Sequence, residues 1–385
     1  MNIVHISPNA PFNDGWGFQE NLLPKYHALL GHKVTLIVPN KMHVADKIVD
    51  TETGTFYSCG GFDVIRMSYK KYRKNYMTNI FCKLDVYDSL LELKPDVVFY
   101  HGLVSQTIFD VIRYKKNIEK KGKKLRILQD NHLDYNIGKK ADNFKQLLLR
   151  TYYRILNYFS QKSVDHVYGV TPWRKQYAEE YYHIKPEKTS VLIMGADDEK
   201  IDFANKEKIR NKIRRENNVA DDDFLIVTGG KIDAKKKIHI LMQACKDLKG
   251  VKLLIFGNVS NQLKEEYQRI LRESKNIISV GWIDSGKVYD YFFAADLVCF
   301  PGQHSVLWEQ ACAAKVPCLF AKWPGMEHVN NGGNADFFEN VTIDSIRKKI
   351  GELIFTKKYA EMKKIAESEA TDVYLYSEIA KESLE

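Results

Sequence analysis

Short apolar runs recur along the whole chain, each closed by glycine, proline or a polar cluster. In the first half they predict strands at residues 2–7, 33–38, 62–67, 96–100, 125–129, 166–170 and 190–194. In the second half they predict strands at 224–228, 251–256, 277–280, 297–300 and 316–320. Stretches of helical spacing lie between them. After Gly17, residues Phe18, Leu22, Tyr26 and Leu29/Leu30 share one helical face, and Gly31 supplies the stop. Further helices are expected over 145–159, 206–217 and 238–248. The stretch 145–159 is rich in Leu, Tyr and Arg and reads first as a core helix, a membrane-surface helix being the alternative. Strand–helix alternation in both halves implies an α/β protein with two doubly wound, parallel-sheet domains facing one another.

Length supports that division, since 385 residues exceed what one core usually holds. The expected boundaries are 1–195 for the first domain and 196–371 for the second, with a C-terminal helix at 372–385 returning to the first. Hydrophobic residues make up 44% and charged residues 28%, a globular and not a disordered balance. The net charge of +9 favours anionic partners such as nucleotide phosphates or acidic lipid surfaces. Two basic runs, at 69–76 and 113–126, lack any nucleic-acid module, so no nucleic-acid partner is expected. The six cysteines show no CxxC spacing, which fits reduced thiols in the cytoplasm and gives no zinc pattern. No signal peptide and no membrane span is read from the chain, so the expected location is cytoplasmic, with peripheral contact at the inner membrane face.

The candidate chemistry lies where strands end. Pro301-Gly302-Gln303-His304-Ser305 follows a buried strand, with Ser305 as the expected N-cap of a helix that carries Glu309 in its first turn. A helix N-terminus suits a phosphate, and a carboxylate one turn in suits paired sugar hydroxyls. Gly229-Gly230-Lys231 and Lys235-Lys236-Lys237 bring glycine and positive charge beside another helix start, as a diphosphate requires. Neither GxGxxG nor the GxxxxGK[ST] loop is present. In the first half, Gly15-Trp16-Gly17, His101-Gly102 and Asp130-Asn131-His132-Leu133-Asp134 occupy the equivalent loops.

Together these segments resemble the retaining glycosyltransferases of family four, which have the GT-B fold. Gly15-Trp16-Gly17 and Gly31-His32-Lys33-Val34-Thr35 are similar to the family's glycine loop and GHxVT segment. Asp96-Val97-Val98-Phe99-Tyr100-His101 resembles its DVVHxH strand, and Gly195-Ala196-Asp197 its NGVD. Gly230-Lys231-Ile232 with Lys236 resembles GRLxxxK, and the segment 301–311 resembles PSxxEGFGLxxLEA. The resemblance implies donor binding by Gly17, Lys231, Lys236, His304, Ser305 and Glu309, the last as ribose ligand. It implies His101 as the catalytic residue beside the reacting sugar, with Asp130, His132 and Asp134 as candidates on the acceptor side. Pro301 stands where the family has its first paired Glu, Lys231 where it has Arg, and Phe99 where it has the first His. The activity implied is transfer from a nucleoside-diphosphate sugar to a glycan or lipid-linked hydroxyl acceptor, with no metal and no other cofactor. The alternatives are a nucleotide-sugar epimerase of the same fold and a nucleotide-sugar-binding protein without transferase activity.

Overall fold

The computed structural model describes residues 1–45, 47–70, 83–136, 144–354 and 356–385. Most of the basic run at 69–76 lies outside the described residues. The chain divides into two compact units, Met1–Ile193 with Ala380–Glu385, and Met194–Ile379. The break falls at 193/194 and not at 195/196. Of the C-terminal stretch 372–385, only the last six residues, 380–385, join the first unit. The preceding part stays with the second unit because its backbone pairs there: Ala196 N–H donates to Tyr374 O at 2.8 Å, and Tyr376 N–H to Ala196 O at 3.0 Å.

The first unit contains β1 (Asn2–Ile6), β2 (Lys33–Pro39), β3 (Lys41–Val44), β4 (Lys47–Asp50), β5 (Gly54–Tyr57), β6 (Asp63–Met67), β7 (Val97–His101), β8 (Arg126–Asn131), β9 (His166–Gly169) and β10 (Thr189–Val191). Eight of these form one sheet in the order β10-β9-β8-β7-β1-β2-β6-β5, parallel except for β5. β3 and β4 form a separate antiparallel pair. One face of the large sheet is apolar: Val4, Ile6, Val98, Tyr100, Ile127 and Val167 pack in one buried cluster with Ile108, Val111 and Tyr177 from covering helices. Alternation along the strands puts a different set on the opposite face. His5 pairs with Phe99, His101 with Asp130, and Asp130 with Tyr168, so a row of polar and aromatic side chains crosses the sheet.

The second unit contains β11 (Phe224–Gly229), β12 (Val251–Phe256), β13 (Ile277–Gly281), β14 (Leu297–Phe300), β15 (Cys318–Ala321) and β16 (Ala335–Phe338). All are parallel, in the order β13-β12-β11-β14-β15-β16. Renumbered within the unit this is 3-2-1-4-5-6, the order of a doubly wound nucleotide-binding sheet, whose ligand crevice opens between strands 1 and 4. The expected strands fall on observed ones with small shifts at their ends. β3, β4, β5 and β16 are not among the expected strands; the Ala-Asp-Phe-Phe of β16 is too short and too polar to read as a buried run.

Two helices differ from expectation. Helix Gln19–Leu29 buries Leu22, Leu23, Tyr26 and His27, while Phe18 and Leu29 are exposed. The inward face is therefore rotated from the one expected, and His27 takes a core position. Helix Phe144–Ser160 buries Leu156, Asn157 and Ser160 only. It is not a core helix: Phe144, Leu147, Leu148, Ile155, Tyr158 and Phe159 all face outward.

Candidate functional site

In the second unit, β11 and β14 are neighbours, so the loops after them meet at the crevice position. Gly302 makes the meeting possible, since a Cβ there would lie 2.3 Å from the carbonyl of Lys236. Gln303 N–H donates to Lys235 O at 3.0 Å, and Trp323 Nε1–H donates to Gly302 O at 3.2 Å. The Lys236 ammonium donates to Gln303 O at 2.7 Å and His304 O at 3.0 Å. Burial lowers the Lys236 pKa, with Asp233 acting against that shift. Lys236 thus puts its charge at the 301–305 loop. Lys231 makes no bond to that loop: its side chain is 75% exposed, with Asp233 at 3.9 Å.

Ser305 is not a side-chain cap. The helix runs Leu307–Ala313, its cap residue is Val306, and no side-chain capping bond forms. The chain bends at Gly302 and Gln303, and the helix begins only at Leu307. Glu309 is fully buried in the first turn. Its Oε1 accepts from His304 Nε2 at 2.7 Å and from His328 Nε2 at 2.8 Å. Burial works against its charge, yet His304 and then His328 hold its pKa well below the usual carboxylate range. Among the described residues, Oε2 of Glu309 is buried and meets no donor. His304, Glu309 and His328 also have metal-ligand atoms within 4.8 Å of one another. The 2.7 and 2.8 Å spacings are those of hydrogen bonds. Tetrahedral zinc ligands at ~2.0–2.1 Å would stand about 3.3 Å apart. His328 Nδ1 also lacks the acceptor that usually orients a metal-bound imidazole. In this arrangement His304 and His328 clamp one oxygen of Glu309.

In the first unit, β1 and β7 are neighbours at the centre of the sheet, and the candidate loops follow their ends. Gly15 adopts φ +76°, a left-handed turn position. Gly17 has open space where a Cβ would stand, so turn geometry accounts for Gly15 and not for Gly17. Asp130 is fully buried at the end of β8. Its Oδ1 accepts Gly102 N–H at 2.7 Å, and its Oδ2 accepts His101 Nδ1–H at 2.7 Å. Burial opposes its charge, but His101 and then His132 hold its pKa far below the usual carboxylate range. His132 Nε2 lies 3.5 Å from the same oxygen, with a side chain 36% exposed. Burial lowers the His132 pKa less than Asp130 raises it, and the net shift is upward. Asp134 faces Arg174 at 3.8 Å and caps Asn136 N–H at 2.9 Å.

His101 itself is almost fully buried, and both ring nitrogens are engaged, Nδ1 by Asp130 and Nε2 by His5 Nδ1 at 3.1 Å. It therefore offers no N–H to a ligand in this arrangement; His132 is the accessible imidazole of the cluster. Within each unit the structure gathers the expected residues. Lys236, His304 and Glu309 form one connected set, and His101, Asp130 and His132 another. Lys231 and Asp134 stand apart from these bonds. Sequence reasoning missed His328, His5 and His27. His328 lies in a short 3-10 helix, Glu327–Val329, well past the end of β15 at Ala321, so it lacks the strand-end signal that singled out His101 and His132. Nothing local marks His5, inside a strand, or His27, inside a helix.

The buried imidazoles give a pH dependence. Burial, more than any neighbour, pushes His27 down to about 3, and it lowers His5 well below its ordinary value. A histidine kept neutral by folding contributes stability that is present above its unfolded pKa of ~6.5 and lost as pH falls towards the folded value. Unfolding free energy should therefore drop between pH 6.5 and 4, by up to about 1.4 kcal/mol per pH unit for each such group. Urea unfolding of the native chain and of His27→Gln across that range checks this. An equal slope in the variant would remove His27 from the account.

Residues 209–369 match the family model described as glycosyl transferases group 1. A processive diacylglycerol alpha-glucosyltransferase of Acholeplasma laidlawii is 23% identical over 201 residues, 48% of this chain. That match spans 60% of the relative, so less than two thirds of its length is represented. A solved glycosyltransferase from Rickettsia africae superposes with a TM-score of 0.66 at 16% identity, covering 99% of this chain and 96% of that one. The Anabaena protein HepE, solved in complex with UDP, gives 0.64 at 16% identity, covering 99% and 98%. The fold of the whole chain is GT-B, and residues 209–369 of its second unit are similar to glycosyl transferases group 1.

Proposed function

We propose that this protein is a retaining glycosyltransferase that moves a sugar from a nucleoside-diphosphate donor to a hydroxyl acceptor. The observation that carries the reading is the connected set Lys236–His304–Glu309 at the crevice of a 3-2-1-4-5-6 sheet. The leaving group is a nucleoside diphosphate, so the main task is to stabilise charge that develops on it. Lys236 supplies a fixed ammonium there, with Lys231 as a mobile second cation, and neither requires a metal. Glu309 is the ribose ligand: His304 and His328 fix Oε1, and the unpartnered Oε2 is left to accept from sugar hydroxyls. Asp130 and His132 serve the acceptor side, with His101 fixing Asp130 from behind. The chain is assayed with nucleoside-diphosphate sugars, with and without a diacylglycerol or glycan acceptor. Transfer requires free nucleoside diphosphate to appear only with acceptor. Release or isomerisation of the donor without acceptor would favour an epimerase, and binding without turnover a nucleotide-sugar-binding protein.

The acceptor class follows from helix Phe144–Ser160. At 100° per residue, Phe144, Leu147, Leu148, Ile155, Tyr158 and Phe159 fall within an arc of about 120° on its exposed side. Lys145 and Arg154 flank that arc, Lys162 follows the helix, and the helix contains no acidic residue. Arg113, Lys116, Lys120, Lys121, Lys123 and Lys124 add exposed positive charge on the same unit, whereas Lys115 is tied to Asp165 at 2.7 Å. An apolar stripe bordered by cations fits the interface of an anionic bilayer, and a lipid-linked acceptor would be met there.

Two outcomes follow. For the ribose contact, Glu309→Gln should weaken a ribonucleoside diphosphate by about 1.5–3 kcal/mol and its 2′-deoxy analogue by less, because one bond is absent beforehand. Calorimetry showing equal losses for both ligands would refute the ribose assignment. For the membrane, sedimentation with anionic vesicles should fall at least about tenfold in Leu148→Ser/Phe159→Ser, given ~1.5–3 kcal/mol per buried side chain. It should also weaken with salt. Unchanged sedimentation in the double variant would take this helix out of the interface.

A further inference from the structure

Behind Asp130 lies a line of three imidazoles, all on the polar face of the first unit's sheet. His101 Nδ1 meets Asp130 Oδ2 at 2.7 Å, and His101 Nε2 meets His5 Nδ1 at 3.1 Å. His5 Nε2 meets His27 Nδ1 at 2.9 Å. His27 Nε2 meets Ser383 Oγ at 2.8 Å and Ala380 O at 3.2 Å. His5, His27 and Ser383 are fully buried, and His101 is nearly so. Phe99 packs against His5 and His101 with ring centroids 5.3 and 5.1 Å away, keeping the line dry. The segment at its far end is held by Arg126, which donates to Leu384 O at 2.6 Å, and by Tyr168, whose hydroxyl donates to Ser383 O at 3.2 Å.

The hydrogens in this line can be counted. It has four contacts, and each needs one hydrogen. At one end the Asp130 carboxylate only accepts. At the other, Ala380 O only accepts, and the Ser383 hydroxyl is spent on Ala380 O at 2.9 Å. All four hydrogens must then come from the rings, but three neutral imidazoles carry only three. We propose that His101, His5 and His27 hold one excess proton, seated on His101 as the counter-charge of Asp130, and that the Ala380–Glu385 segment sets this state. When Ser383 turns its O–H to His27 Nε2 instead, three ring hydrogens suffice, every ring is neutral and the tautomers of His5 and His27 invert. The proton given up is the one that neutralised Asp130.

Energetics place the charge. Burial, and then mutual repulsion with His27 and His101, disfavours charge on His5; burial disfavours it on His27. His101 is the ring in contact with the carboxylate. Among the described residues, further charged or titratable groups around the line are His132 on Asp130, with Glu20 and Arg174 acting on it, His32 beside His27 with centroids 6.4 Å apart, and Arg126, Tyr168, Glu382 and Glu385 around the segment. His5 and His27 are positioning residues: they act through His101 on Asp130, and through Asp130 on the basicity of accessible His132. The last consequence rests on the acceptor-side reading above; the proton count does not.

The test is the long-range proton–nitrogen correlation spectrum of the full chain with nitrogen-labelled histidine at pH 7. The expected result is His101 protonated on both nitrogens, and His5 and His27 on Nε2 only. Three neutral rings protonated on Nδ1 would overturn the proposal. His27→Leu removes one ring and the terminal acceptors, so two contacts meet two neutral rings. His101 and His5 should then both become neutral and Nδ1-protonated. If that variant does not fold, Ser383→Ala serves: it keeps Ala380 O as acceptor and should reproduce the native pattern, and inverted tautomers there would refute the count. In turnover, His27→Leu should move the limb belonging to His132 up by about one pH unit with nucleotide affinity unchanged. An unmoved limb alongside the expected tautomers would sever the relay from His132, and an inactive native chain would count against the glycosyltransferase reading alone.

Discussion

A carboxylate removed from water stays ionised only where donors replace the water. Both units meet that demand at the end of a parallel sheet, and with the same side chain. Asp130 and Glu309 have no exposed surface; Asp130 takes one imidazole N–H on Oδ2 and Glu309 takes two on Oε1. The rest of the two sites follows from this. His304 is oriented by Glu309, and its carbonyl in turn receives Lys236. His101 is oriented by Asp130, and its other nitrogen meets His5 Nδ1 at 3.1 Å. Removing either carboxylate would leave buried donors unmatched, so each site is a unit and not a collection of independent side chains.

Sheet topology places these carboxylates. In each unit the strand order reverses beside the first strand, so loops distant in sequence open at one edge. In the second unit the reversal brings the glycine and lysine loop after β11 against the loop after β14, and Gly302 permits contact with the Lys236 backbone. In the first it brings the loop after β1 beside the end of β7. Backbone amides and cations at such an edge suit a diphosphate, while a buried acid with one oxygen held and one unpartnered suits a pair of hydroxyls.

Helix Phe144–Ser160 obeys a different constraint. Its buried side is narrow and partly polar, and its apolar residues look outward. Leaving several large apolar side chains in water is costly for a helix that could turn them inward. Cations line its edges and it carries no acid, the features on which the proposed membrane contact rests. Among the described residues no helix is long and apolar enough to cross a membrane.

How much of this was legible in the chain depends on how local the cause is. Alternation of apolar runs and helical spacing is a near-neighbour property, so the strands of the two parallel sheets, apart from β16, and the α/β class could be read directly, whereas the short β3, β4 and β5 could not. Pro301-Gly302, Gly229-Gly230 and the polar residues after strand ends announced the crevice loops for the same reason. The sequence also named Asp130, His101, Lys236 and Glu309, because each sits at or near a strand end or helix start. It could not say that His101 is closed off by Asp130 and His5, since those bonds join residues 29 and 96 positions away. It could not reveal His27 as a core residue facing Ser383, 356 positions distant, or His328 on Glu309. Nor could it decide which way the helix at 144–160 turns its apolar side, because periodicity fixes the width of a stripe and not what lies opposite it. Those outcomes belong to the packed state, where strand order selects the neighbours and burial decides which charges must be answered.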